Sequence, residues 1–511
     1  MLLEKLLSKK LYIYLYIISF NLILFNLSTH NYEYSLMRKD QEIMILTAAK
    51  MFYFDLNTYE AAWNHHTPPI FYLFKSIFYF FDFSNVYFGF FVLYSFLLIF
   101  INILLYKLIY KITRSKFSAL LFSCLFIFDI SHTTVGEIIL FDNRTIGIIF
   151  QILILIYTFK IIDKQNTKDI VAWSLAVAIC CFSLESYLVS IFPIYIYLIY
   201  KIRGKFFKFS LITFFLSSAL YSLILFFNKE LYESIQLNYV FHLFGTSRKR
   251  IPTNTIAQNG FFKPYANWSV YLLATVLLIV FCYFIFKKFR YLYSNSLPYI
   301  EILYIYFFSE IIHLFASGPR FANYFQLILI FVFIIPIISL TIFVKNNSKE
   351  NLLLFCSFLF IFGLSVFDNK NEILLYRYDE ENTVSKLTSE QINLIDYLNK
   401  QDNGEIYLSY IWGYDNNLEI YFRTNSLPST KMWWWFDMYY SQSSDYIFDS
   451  NRFYSKDLDK IFIRDLEKEK PTYFIIEDNY ISLPKNFRDY LESNYELNKD
   501  LLGYSVFKIN N

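Results

Sequence analysis

Apolar stretches close to the roughly 20 residues that a helix needs to cross a bilayer recur about eleven times before residue 367, and no other feature constrains the fold so tightly. The spans fall at 11–28, 85–106, 117–132, 145–163, 169–184, 186–200, 209–227, 268–286, 298–316, 323–343 and 351–367. The chain is 56% hydrophobic and 22% aromatic over 511 residues, with a mean hydropathy of +0.36, which is too apolar for a soluble globule of this size. The segment around Glu185 reads either as two short helices or as one broken or re-entrant unit.

Basic residues near span ends stay in the cytoplasm when loops are short. Lys5, Lys9 and Lys10 precede the first span, Lys107, Lys111, Arg114 and Lys116 follow the second, and Lys160, Lys164 and Lys168 follow the fourth. Similar clusters follow the sixth, eighth and tenth spans. The N-terminus is therefore expected inside, with the loop 29–84 and the tail 368–511 outside the cytoplasm. The first span is too long for a signal peptide and lacks a small-residue cleavage site, so it reads as a retained anchor. Cys124, Cys180, Cys181, Cys282 and Cys356 all fall within apolar spans, which leaves the exported parts without a disulfide framework. The net charge of +3 says nothing about partners. The chain has no repeat at a period of roughly 20 to 50 residues, nucleic-acid module, phosphate-cradling glycine loop or metal-ligand cysteine pattern.

Beyond residue 367 Asp, Glu, Lys and Asn become frequent and apolar runs shorten to strand length. Strand candidates at 404–410, 472–477 and 504–509 alternate with helix candidates at 388–400, 456–468 and 485–493, the order of a small α/β layer. Thr388 and Gln391 form a helix-start signature. The expected architecture is a polytopic α-helical membrane protein of about 11 transmembrane helices, residues 1–367, with a C-terminal extracytoplasmic α/β domain, residues 368–511.

The loop after the first span carries the chemistry. It holds Asp40-Gln41-Glu42, then a stretch from Ile43 to Phe52 expected to form an amphipathic helix, then Trp63-Asn64-His65-His66-Thr67-Pro68-Pro69. The apolar stretch Ile70 to Phe83 is too short to span, and both helical stretches are expected to lie along the membrane face. Carboxylates, histidines and a proline-stiffened turn where a loop meets the bilayer suggest chemistry on a lipid-borne substrate.

These residues resemble those of the GT-C membrane glycosyltransferases, most closely the branch of protein O-mannosyltransferases and bacterial aminoarabinose transferases. The likeness lies in Asp40-Gln41-Glu42, Thr47-Ala48-Ala49 and His66-Thr67-Pro68-Pro69, with Gln41 standing where the family usually has its second acid. Arg320-Phe321-Ala322-Asn323-Tyr324-Phe325 and Ile411-Trp412-Gly413-Tyr414-Asp415 are similar to further family stretches. The resemblance implies sugar transfer from a polyprenyl-phosphate donor to an envelope glycan, lipid or protein acceptor at the outer face of the cytoplasmic membrane, with inversion at the anomeric carbon. It implies Asp40 as the base that takes the acceptor proton, with Glu42 and Asp142 as supporting acids. Arg320 is implied at the donor phosphate, where a guanidinium fork suits phosphate oxygens, with His66 and Tyr324 as further substrate-binding residues; read without the resemblance, His66 simply caps the turn before Pro68. Glu137 is the spare to Asp142, and either acid equally pairs with Arg144.

Arg248 and Lys249, in a basic run on the side where few positive charges are expected, either hold anionic substrate groups or coat the leaflet surface. Arg320, read without the resemblance, is an outer anchor that snorkels to the interface. Glu185 and His313 are ionisable groups at or within spans and so count as functional candidates, although Glu185 reads better as marking an outer hairpin turn; the Trp433-Trp434-Trp435 run reads as a membrane-docking surface, a sugar-stacking surface or core. No cofactor is called for and no nucleic acid is expected. Rival classes are a transporter or flippase of lipid-linked saccharides and a non-catalytic subunit of a glycan-assembly complex. The first is disfavoured because no paired hydrophobic halves with matched Gly or Pro breaks are present.

Overall fold

The computed structural model describes residues 10–29, 39–62, 68–131, 143–183, 187–227, 297–317, 387–401, 405–412, 418–430, 458–477 and 485–510. Along the chain come α1 (Lys10–Thr29), α2 (Lys39–Tyr53), α3 (Thr58–Ala61) and α4 (Pro69–Lys75), with short 3-10 turns at Ser76–Tyr79 and Phe83–Asn85. The long helices follow: α5 (Val86–Thr113), α6 (Lys116–Ser131), α7 (Asn143–Lys164), α8 (Thr167–Ser183), α9 (Tyr187–Ile202), α10 (Gly204–Phe227) and α11 (Leu297–Ser317). The last part holds α12 (Ser389–Gln401), β1 (Tyr407–Trp412), α13 (Leu418–Arg423), β2 (Ser426–Pro428), α14 (Leu458–Lys468), β3 (Tyr473–Glu477), α15 (Lys485–Asn494), β4 (Tyr495–Leu501) and β5 (Tyr504–Ile509).

α1 and the helices α5 to α11 fall on eight of the eleven sequence spans. Those at 268–286, 323–343 and 351–367, and the boundary at 367/368, lie outside the described residues. Three described stretches are long and apolar enough to cross a membrane, Phe83–Thr113, Ile146–Lys164 and Gly204–Leu223. α8 and α9 are two separate helices, with Glu185 outside the described residues. The chain divides into two compact units, the first made of 1–30, 92–221 and 251–378, the second of 31–91, 222–250 and 379–511.

In the first unit several hydroxyl side chains of apolar helices are satisfied within their own helix, as a low-dielectric surrounding favours. Thr158, Ser174 and Ser183 each donate to the carbonyl four residues back, at 2.7, 2.9 and 2.8 Å. The Trp173 indole N–H donates to Thr158 Oγ1 at 2.9 Å, joining α8 to α7. α5, α7 and α9 all stop the same way, with Arg114, Gln165 and Arg203 in the left-handed region at φ +57°, +47° and +60°. The backbone N–H of each closes on the carbonyl four residues earlier, a helix-ending turn that returns the chain at once into the next helix. On α7, Asp163 accepts from Lys111 and from the Tyr299 hydroxyl. Toward the opposite ends of the helices the buried Gln151 amide donates to the buried Glu310 carboxylate at 3.1 Å. Gly147 passes so close to Tyr187 that an added Cβ would lie 2.1 Å from Cε2 of the ring.

The second unit is built on a five-stranded sheet of order β2-β1-β3-β5-β4. β2, β1 and β3 run parallel, with Ser409 opposite Tyr473, while β5 and β4 run antiparallel, with Ile475 opposite Val506. Tyr410, Trp412, Phe462, Phe474 and Phe487 fill its core with aromatic contacts 4.9 to 6.5 Å apart. The capping box expected at Thr388 is present: its backbone N–H donates to Gln391 Oε1 at 2.9 Å, and the Gln391 N–H to Thr388 Oγ1 at 3.3 Å. Gly503, at φ +85°, makes the turn between β4 and β5. In the tail three elements depart from the sequence expectation, namely α13, β2 and β4. α13 and β2 are six and three residues long, and β4 is an edge strand whose middle residues are exposed and, apart from Leu497, polar.

Candidate functional site

The acidic pair lies on α2. Asp40 stands in the first turn of this helix, and Glu42, two residues on, is buried with 8% of its surface exposed. An amphipathic helix lying along the membrane face is the expectation for this stretch. Instead, every residue from Glu42 to Met51 is buried, whichever face it occupies. Burial all round is tolerable because the polar members find partners. The Thr47 hydroxyl donates to the Ile43 carbonyl at 2.7 Å. The Lys50 ammonium, fully buried, donates to Glu469 Oε2 at 2.9 Å and to the Thr430 carbonyl at 3.0 Å. Burial pushes the Lys50 pKa below its ordinary value against the opposing pull of the Glu469 carboxylate.

Pro69 begins α4, which buries Ile70, Phe71 and Phe74. Pro at the first helical position costs nothing, because that N–H has no helical partner. Tyr79 and Phe80, after α4, are exposed at 67% and 82%. From the tail, α13 and β2 pack on α2. Phe422 of α13 lies 5.7 Å from the Phe83 ring in a stacked arrangement and 5.1 Å from the Tyr87 ring. Arg423 donates through Nε and NH2 to Glu419 Oε1, at 2.8 and 2.6 Å. Among the described residues the buried Tyr87 hydroxyl has no hydrogen-bond partner, and the charges of Glu42, Glu419 and Arg423 act on it. A carboxylate-bearing helix, a tyrosine hydroxyl and a charged tail helix thus meet in one unit.

Of the residues named from the sequence, Asp40 and Glu42 stand on one helix. Asp142, His66, Arg320, Tyr324, Arg248 and Lys249 lie outside the described residues, as do Glu137, Glu185, the Trp433-Trp434-Trp435 run and Gly413 to Asp415. His313 lies on α11, and Trp412 is buried at the end of β1. Among the described residues no cluster of three or more His, Cys, Asp or Glu side chains could hold a metal ion. Sequence reasoning missed Lys50, Glu469, Tyr87, Phe422 and the Glu419–Arg423 pair. Lys50 carried a signal: it stands three and seven residues after Thr47 and Ile43, within the stripe that helical periodicity assigns to the core.

The apolar helices and a family match together support a membrane glycosyltransferase of the GT-C type. The matching family model is that of dolichyl-phosphate-mannose-protein mannosyltransferases, over residues 57–240, a segment that takes in His66 and Asp142 and begins after the acidic pair. No curated protein matches the chain. Among solved structures the chain is similar to the Archaeoglobus fulgidus oligosaccharyltransferase. In its complex with zinc and sulfate the identity is 11% and the TM-score 0.44, covering 90% of this chain and 67% of that one. In its apo form the values are 12%, 0.49, 90% and 69%.

Proposed function

We propose that this chain moves a sugar from a polyprenyl-phosphate donor to an envelope glycan, lipid or protein acceptor at the outer face of the cytoplasmic membrane. The observation that carries the reading is the acidic pair on a buried helix, Glu42 being 8% exposed, directly ahead of the segment that matches the mannosyltransferase family. Asp40 takes the proton from the acceptor as it attacks the anomeric carbon, and inversion follows from direct displacement. Glu42, and Asp142 from the loop before α7, support the charge on that base. His66, Arg320, Tyr324 and the Arg248 and Lys249 run bind the donor phosphate as negative charge builds on it. The bilayer spans number about eleven, the segment 1–367 carries the transfer chemistry, and the 368–511 tail folds outside the cytoplasm. Tyr79 and Phe80 face the lipid headgroups, where aromatic rings are at home. No nucleic acid takes part.

The test is sugar transfer in membranes holding the wild type or Asp40→Asn, given a mixed pool of polyprenyl-phosphate sugars and envelope extract. A glycosylated product that disappears in the variant at equal protein level supports the reading. An undiminished product removes Asp40 as base, and no product from either chain favours the transporter or accessory-subunit classes.

A further inference from the structure

We propose that Lys50 is a positioning residue, through which the C-terminal sheet domain sets where the acidic pair stands. This rests on the reading of α2 as the helix that carries the base. Lys50 is fully buried, and a buried ammonium is tolerated only where partners replace its water. Its partners come from two places far along the chain. Nζ donates to Glu469 Oε2, just past α14, at 2.9 Å and to the Thr430 carbonyl, just past β2, at 3.0 Å. The same Glu469 oxygen accepts the Thr430 backbone N–H at 3.0 Å. Thr430 is in the left-handed region at φ +64°, a conformation a threonine keeps only when its surroundings impose it. The knot therefore ties α2, the β2 turn and the end of α14 together at one carboxylate. Asp465 and Lys468 of α14 are the other charges that act on Lys50.

The knot sits at one end of a stiff rod and the acids at the other. Asp40 precedes Lys50 by ten residues on the same helix, about 15 Å along its axis at roughly 1.5 Å per residue. A tilt of about 5° at Lys50 displaces the Asp40 end by about 1.3 Å, and a misplacement of about 1 Å can cost on the order of 100-fold in rate. A lysine serving stability alone would leave turnover per folded molecule unchanged, which separates the two roles.

The experiment uses the full chain in detergent or nanodiscs with wild type, Lys50→Met, Glu469→Gln, Lys50→Arg and Asp40→Asn. It reads kcat and donor KM per folded molecule, the unfolding temperature, and hydrogen–deuterium exchange of residues 39–46. Glu469→Gln keeps an acceptor on a partly exposed side chain and stands in should Lys50→Met not fold. Lys50→Met is expected to lower kcat about 100-fold, with donor KM within threefold of the wild type. Exchange over 39–46 should accelerate at least tenfold. Glu469→Gln should shift both in the same direction by about tenfold and threefold, and Lys50→Arg should retain most activity. Unchanged exchange over 39–46 in both Lys50→Met and Glu469→Gln overturns the inference, as does wild-type kcat in a variant whose exchange has accelerated. If Asp40→Asn transfers sugar normally, or the wild type transfers none, the function assigned to α2 fails. The exchange result still decides whether Lys50 positions the helix.

Discussion

Replacing Gly147 with alanine places a methyl group 2.1 Å from Cε2, 2.6 Å from Cζ and 2.7 Å from Oη of Tyr187. Carbon contacts settle near 3.5 Å, so the ring must retreat by about 1.4 Å. It has nowhere open to go, since Tyr187 is only 1% exposed. Overpacking of this kind costs about 1–3 kcal/mol. Against it stands the helix preference for alanine over glycine, roughly 1 kcal/mol. An approach this close puts the first term in its upper half, and the net expectation is a loss of about 1–2 kcal/mol. For a unit of this size that lowers the unfolding temperature by roughly 2–8 °C. The assay is intrinsic-fluorescence unfolding of the purified chain, run as a double-mutant cycle with Tyr187→Leu, which removes the ring. The two substitutions together should cost at least about 1 kcal/mol less than the sum of the singles. A Gly147→Ala chain that unfolds at a higher temperature than the wild type, or a cycle with no coupling, refutes the close approach of α7 to Tyr187.

Two further outcomes are expected. Gln151→Leu removes the donor that Glu310 accepts from at 3.1 Å and should destabilise by about 1.5–3 kcal/mol. Glu310→Gln retains an acceptor and should cost less, and the reverse order in thermal unfolding would remove the hydrogen bond from the account. Burial holds the Lys50 pKa below its ordinary 10.5. Between the folded value and 10.5 the unfolded chain keeps a proton that the folded chain has released, so the Lys50 contribution to stability rises with pH across that window. The unfolding temperature of the wild type should therefore gain on that of Lys50→Met as the pH rises toward 10.5. A constant or narrowing difference would sink this.

The helices of the first unit were legible because each span combines length with an uninterrupted apolar run. Their ends at Arg114, Gln165 and Arg203 were less so, since a left-handed arginine or glutamine carries no glycine signal. In the tail, β1, β3 and β5 were visible as apolar runs near their final positions, and α12 through its Thr388–Gln391 box. β4 was hidden because its exposed Glu496, Asn498 and Lys499 follow the solvent rather than the core. β2 was hidden because three residues ending in proline carry no periodicity. At the site, the acids on α2 were readable from residue type, whereas Lys50 was marked only by its place in the apolar stripe. Its charge argued for solvent, and only partners 380 and 419 residues away cancel that argument.

That separation has a bearing on biogenesis. At about 5–20 residues per second, the ribosome needs roughly 20 to 80 seconds to progress from Lys50 to Glu469. Throughout that interval α2 lacks the carboxylate that meets the Lys50 ammonium in the folded chain. A chain cut short before residue 469 never acquires that carboxylate, so the tie between α2 and the end of α14 is the last of these contacts to be completed during synthesis.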